Sequence, residues 1–167
     1  MPGAGKSTMG KQLSKIINYP FIDLDQEIER GENLLIRTIF ENFGESHFRA
    51  VENRYLSEQL SKDSNLILAS GGGTPCFHDG INSMLVAGDV FYLRATVEEL
   101  VSRLDNENGE ESVRPLLNVK SVRQTLENLI QMRQETFEKA HYTVDSDSYA
   151  VNTVLKILKE KSNSKSY

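Results

Sequence analysis

Within six positions, Gly3 to Thr8, the opening MPGAGKSTMG brings together two glycines, a lysine and two hydroxyl side chains. Gly3 and Gly5 let backbone N–H groups curl around phosphate oxygens where a Cβ would collide. Lys6 is then placed to reach the β- and γ-phosphates of a nucleotide, and Ser7 to set its hydroxyl on Mg²⁺. A helix starting near Ser7 turns its positive end toward the same anion. The pattern is the second half of a G-x-x-x-x-G-K-[ST] phosphate-binding loop. Its first glycine would fall one residue before Met1, and the strand that leads into such a loop is absent from the sequence.

Four further groups could carry chemistry. In DLD, Asp23 and Asp25 alternate and are expected to share a face at the end of a strand. One carboxylate there suits Mg²⁺ held through water, the other a substrate hydroxyl. FGESHFRAVE spaces Glu45, Phe48, Arg49 and Glu52 along one helical face. Arg49 on that face suits a carboxylate ligand, with Glu45 or Glu52 orienting it, although a surface ion-pair row would look the same. Gly71, Gly72 and Gly73 follow a buried strand, where three glycines suit a close approach to the backbone, or a plain tight turn. Arg114 in SVRPLL is placed to ride on a lid over the phosphates, and Arg133 in QMRQETFEKA to face the cleft. Either arginine alone would more often be a solvated charge.

The elements that must position these residues alternate in type. Apolar spacing predicts a helix over 7–17, and YPFIDLD reads as a short strand. Helices follow through QEIERG and through the long segment 35–62. NLILAS and VFYLRA are apolar runs typical of strands buried on both faces. Helices are expected around 79–88, over TVEELVSRL (with Thr96 and Glu99 at capping-box spacing), from Ser121 to about Lys139, and over AVNTVLKILKE. YTVDS supplies a last strand, residues 105–112 are polar and acidic, and 161–167 read as a disordered tail. Alternating strands and helices imply an α/β fold, a parallel sheet with helices on both faces. In such sheets ligands sit at the carboxyl ends of strands, where Asp23, Asp25 and the glycines fall.

At 167 residues the chain is long enough for one domain with a substantial core. Its net charge of −5 argues against general affinity for nucleic acid or anionic membrane, so any polyanion site is local. Hydrophobic residues make up 38% and mean hydropathy is −0.43, and no apolar run approaches the ~18 residues of a membrane span. The single cysteine, Cys76, excludes an internal disulfide, and the three histidines lack metal-ligand spacing. No signal peptide is visible, which predicts a cytoplasmic enzyme.

Taken in order, PGAGKST, FIDLDQEIE, IFENFGESHFRAVE, LASGGG, VRPLL and MRQETFEKAHY resemble the shikimate kinases, small P-loop kinases of the nucleoside-monophosphate-kinase type. The resemblance spans nearly the whole chain. It implies transfer of the γ-phosphoryl of ATP to the 3-hydroxyl of shikimate, toward chorismate and the aromatic amino acids, by a monomer with ATP as co-substrate and Mg²⁺ as cofactor. By position, Gly3, Ala4, Gly5, Lys6, Ser7 and Thr8 are similar to the phosphate loop, with Ser7 the direct Mg²⁺ ligand and Asp23 the acid that holds Mg²⁺ through water. Asp25 resembles the residue that grips the substrate hydroxyls and serves as a candidate base. Arg49 and Arg133 resemble the pair on the substrate carboxylate, and Gly71 to Gly73 the glycines beside the substrate. Arg114 resembles the lid arginine and Arg103 the arginine near adenine. Lys6, Asp25 and Arg114 are the catalytic candidates.

The resemblance also implies a three-layer fold with a five-stranded parallel sheet and one kinase domain over 1–160, its lid at about 104–117. The family's first strand lies between those matching NLILAS and VFYLRA. Its absence is expected to leave both neighbours with unpaired edges, and predicts low stability and little activity at best for residues 1–167 alone. On this reading Met1 is an internal loop residue, preceded in the working enzyme by a strand of about ten residues. Two alternatives stay open. One is another small-molecule kinase on this fold, such as a gluconate kinase, and the other is a non-catalytic relic.

Overall fold

The computed structural model describes residues 1–107 and 122–164. Helix α1 (Lys6–Ile17) leads into strand β1 (Phe21–Asp23), which passes directly into α2 (Leu24–Glu32) and then α3 (Ile36–Leu60). Strand β2 (Ile67–Ala69), a 3₁₀ turn at Thr74–Cys76, α4 (Gly80–Ala87), β3 (Phe91–Arg94) and α5 (Val97–Glu107) follow. Helix α6 (Val122–Phe137), strand β4 (Tyr142–Asp145) and α7 (Ala150–Ser164) complete the described chain.

Local sequence explains most of these boundaries. Glu99 accepts hydrogen bonds from the Thr96 N–H and hydroxyl, and the Glu99 N–H donates back to Thr96 Oγ, so the expected capping box opens α5. Gly10 lets α1 lie close on β1, because a Cβ there would strike the Phe21 ring. Gly44, at φ 79° and ψ 173°, breaks α3 into two segments, and the second starts at the Glu45–Glu52 face. Helix α7 continues to Ser164, past residue 160 where the sequence places the start of a tail. Of the expected lid, residues 104–107 form the last turn of α5, whereas 108–117, including Arg114, lie outside the described residues, as does Ser121.

The strands are parallel, as alternation with helices requires. β1 pairs with β2 in the register Phe21↔Ile67, Ile22↔Leu68, Asp23↔Ala69. β3 pairs with β4 from Phe91↔Tyr142 to Arg94↔Asp145. Among the described residues these are two separate two-stranded sheets, not the five-stranded sheet the resemblance implies. β2 and β3 do not pair. A cavity of about 430 Å³ lies between them, lined by Ile67, Leu68, Phe91 and Leu93 and by Leu13 and Met84 from the flanking helices. The unpaired edges expected of NLILAS and VFYLRA are therefore present.

Two apolar cores hold the halves. Leu13, Leu93, Leu100, Leu126, Val144 and Val154 join α1, α5, α6 and α7 to β3 and β4, with Met1 and Ala4 packed into the same cluster. Leu24, Ile28, Ile39, Phe48, Leu56 and Met84 join α2, α3 and α4. The first core underlies the glycine–lysine loop, and the second carries the Arg49 helix.

Candidate active site

The loop ahead of α1 has the conformation its glycines permit. Gly3 and Gly5 are left-handed, at φ 71° and 74°. Gly5 is the N-cap of α1 and contributes no side-chain cap, and the positive end of the helix faces the loop. Ala4 is buried, and the Lys6 ammonium donates to the Met1 carbonyl at 2.9 Å, folding back across the loop. Thr8 lies exposed in the first turn of α1.

The two aspartates reach this loop differently from the sequence expectation. β1 ends at Asp23, and Asp25 lies in the first turn of α2, so strand alternation does not set their relation. Asp23 caps α2, accepting the Asp25 N–H on Oδ1 at 3.2 Å. Its other oxygen accepts the Ser7 hydroxyl at 2.5 Å. Ser7 and Asp23, sixteen residues apart, thus present adjacent oxygens beside the lysine.

Across the site, both arginines converge on the glycines after β2. Arg49, on the second segment of α3, is only 4% exposed. Its Nε and Nη2 donate to Glu45 at 3.2 and 3.0 Å, and its Nη1 donates to the buried Glu52 at 2.7 Å. The guanidinium carbon lies 4.3 Å from the Phe77 ring centre, 5.1 Å from that of Phe48 and 5.9 Å from that of Phe40. Arg133, on α6, donates from Nη1 to the Gly72 carbonyl at 3.1 Å. Burial, reinforced by the nearby Arg49 cation, lowers the Arg133 pKa from its ordinary value, and burial pushes the Cys76 thiol up. Arg49 is met by Glu45 and Glu52, whereas Arg133, bonded to a backbone carbonyl, would be stabilised by an anion beside it.

At Gly73 and Gly71 neighbouring side chains take the space of a Cβ, whereas Gly72 would have room for one. A Cβ on Gly73 would lie 2.6 Å from Arg49 Nη1, and one on Gly72 3.7 Å from Arg133 Nη1. One on Gly71 would lie 3.0 Å from each of Asp25 Oδ1, Glu52 Oε1 and Thr74 Oγ. Thr74 Oγ in turn donates to Glu52 Oε1 at 2.7 Å. A phosphate-loop lysine, a Ser–Asp pair, an aspartate and two arginines therefore share one end of the sheets.

Of the residues singled out from sequence, Arg114 lies outside the described residues. Arg103, on α5, makes its hydrogen bonds to the Gly3 carbonyl and to Ser146. Thr74, Phe77 and Ser146 were not legible as site residues. Only Thr74 carried a signal, its place directly after the three glycines.

A family model described as shikimate kinase matches residues 2–161. A shikimate kinase of Clostridium botulinum (strain Loch Maree / Type A3) is 38% identical over 149 residues, covering 89% of this chain and 85% of the relative. The chain belongs to the shikimate kinase family. A shikimate kinase of Azobacteroides pseudotrichonymphae is 41% identical over 119 residues, 71% of this chain and 68% of the relative. Among solved structures, the shikimate kinase of Acinetobacter baumannii in complex with shikimate superposes with a TM-score of 0.87 at 34% identity, covering 99% of this chain and 92% of that one. The Bacteroides thetaiotaomicron shikimate kinase gives 0.84 at 28%, covering 96% and 93%. The shikimate kinase likeness carries with it the P-loop α/β kinase fold, and members of the family are ATP-dependent phosphotransferases.

Proposed function

We propose that this chain transfers the γ-phosphoryl of ATP to the 3-hydroxyl of shikimate through the residues just described. The observation that carries the reading is the convergence of Arg49, Arg133, Asp25 and the 71–73 backbone opposite Lys6. Shikimate is a carboxylate with ring hydroxyls, so it needs cations at one end and acceptors at the other. Arg49 and Arg133 take the carboxylate, and Gly71 to Gly73 let the ring approach the backbone. Asp25 orients the attacking hydroxyl and receives its proton as the new O–P bond forms and the bond to ADP breaks. Lys6 and the first-turn N–H groups of Ser7 and Thr8 hold the phosphates and offset their developing charge. Arg114 is assigned to the same phosphates.

Ser7 and Asp23 fit Mg²⁺, which takes a few protein oxygens and completes its shell with phosphates and water. When bound there, the ion would neutralise phosphate charge. The reading further takes residues 1–160 as one kinase domain belonging to a five-stranded sheet, with Arg103 near adenine. It places the protein as a cytoplasmic monomer. No helix among the described residues is long and apolar enough to cross a membrane.

An ADP-release assay over shikimate, gluconate and nucleoside monophosphates tests the acceptor. Turnover with shikimate alone is expected, and turnover with gluconate alone would reassign the chain within the kinases. Lys6→Ala should lower the rate by roughly 10²-fold or more with the circular dichroism spectrum unchanged. An undiminished rate in that variant would refute the role of the loop.

A further inference from the structure

Ser146 stands one residue beyond β4, where its N–H donates to the Arg94 carbonyl at 2.7 Å and extends the β3–β4 ladder. Its hydroxyl turns toward the glycine loop, more than 140 residues earlier in sequence. There it donates to the Ala4 carbonyl at 2.8 Å and accepts Nη1 of Arg103, also at 2.8 Å. Arg103 Nη1 also reaches the Gly3 carbonyl at 3.3 Å, and Nη2 donates to the Ser146 carbonyl. A Cβ on Gly5 would meet Ser146 Oγ at 3.7 Å. Three successive loop residues thus rest against one hydroxyl and one guanidinium.

From this geometry we infer that Ser146 is a positioning residue for the nucleotide, fastening the phosphate loop from behind. The inference rests on the reading of the loop as an ATP site. In a planar trans peptide the N–H points opposite the C=O. Holding the Ala4 carbonyl against Ser146 therefore aims the Gly5 N–H the other way, while Arg103 holds the Gly3 carbonyl of the preceding peptide, whose Ala4 N–H donates to the Met1 carbonyl at 3.4 Å. The loop contains two left-handed glycines, and the Ala4 N–H is held by the Met1 carbonyl, so the bond to Ser146 sets the peptide that follows, between Ala4 and Gly5. Ala4 is 1% exposed, which leaves its carbonyl few other partners if the hydroxyl is lost. The hydrogen bonds of Ser146 run to Ala4, Arg94 and Arg103, on the loop side of the site rather than the Arg49–Arg133 side. Its effect is accordingly confined to the nucleotide.

The test compares Ser146→Ala with Ser146→Thr, which keeps the hydroxyl. The measurements are KM for ATP, KM for shikimate, MgADP affinity by calorimetric titration, and the melting temperature. Ser146→Ala should weaken MgADP binding and raise KM for ATP about five- to tenfold, the scale of one hydrogen bond within a charged network. KM for shikimate should hold, and Ser146→Thr should return MgADP affinity to within about twofold of wild type. Unchanged MgADP affinity in Ser146→Ala would overturn the inference. So would an equal rise in both KM values with a lowered melting temperature, the mark of a merely structural contact. A wild-type chain that binds MgADP but leaves shikimate untouched sinks the acceptor assignment alone, and the titration still decides the role of Ser146.

Discussion

Arg49 holds its guanidinium among two carboxylates, three aromatic rings and a glycine, and each neighbour constrains it differently. Gly73 sets the distance of closest approach. Gly73→Ala should push the guanidinium aside and raise KM for shikimate at least tenfold, with KM for ATP little changed, as steady-state kinetics would show. Glu52 balances the charge: it is 2% exposed and serves Arg49 and Thr74 at once. Removing one partner of such a buried pair strands the other, so Glu52→Ala should destabilise by about 3–5 kcal/mol in urea unfolding. The Glu45–Phe48–Arg49–Glu52 face was legible because helical spacing alone brings those positions together. Phe77 and Thr74 join the same cluster from beyond β2, and only tertiary folding supplies that neighbourhood. Arg103 shows the same limit, since nothing local to α5 indicates that it will bond Gly3 and Ser146.

At the scale of elements, punctuation decides where the side chains point. The break at Gly44 combines φ 79° with ψ 173°, a region almost reserved for glycine, and a Cβ there would meet nothing within 4 Å. Gly44→Ala should therefore cost about 1–3 kcal/mol through the backbone alone, and weaken shikimate binding by shifting the start of the Arg49 helix. A urea melt with no loss of stability would contradict this. The α5 capping box makes a pH prediction. Hydrogen bonds from the Thr96 N–H and hydroxyl hold the Glu99 carboxyl below the usual range. A carboxyl depressed in the folded state stabilises above its unfolded value, about 4.3, and that contribution fades as pH falls through the folded value. Wild type should thus exceed Glu99→Ala in stability at pH 7, with the gap closing below about pH 4. The helices and this cap were legible from periodicity and capping spacing. The end of β1 was not, because a strand passing directly into a helix leaves no turn residue to mark the change at Leu24.

For the whole molecule, the governing feature is the cleft between the β1–β2 and β3–β4 sheets. Among the described residues, facing edges without a ladder leave backbone groups to water, and an open cavity of about 430 Å³, lined by both apolar and polar side chains, forfeits packing contacts. Residues 1–167 should accordingly melt below about 45 °C, under the usual mesophilic range, with fast amide exchange along β2 and β3. The α/β architecture was legible, because buried apolar runs alternate with amphipathic helices. The partners that hold Arg133 and Arg103 across the site, the Gly72 and Gly3 carbonyls and Ser146, were not legible, since only tertiary folding brings them to α6 and α5. The central claim is that this assembled site phosphorylates shikimate, and transfer of labelled γ-phosphate from ATP, with the product isolated, tests it even when turnover is slow. The account predicts a labelled phosphomonoester of shikimate that falls to background in Lys6→Ala; label on a different acceptor, or none on shikimate, would contradict it.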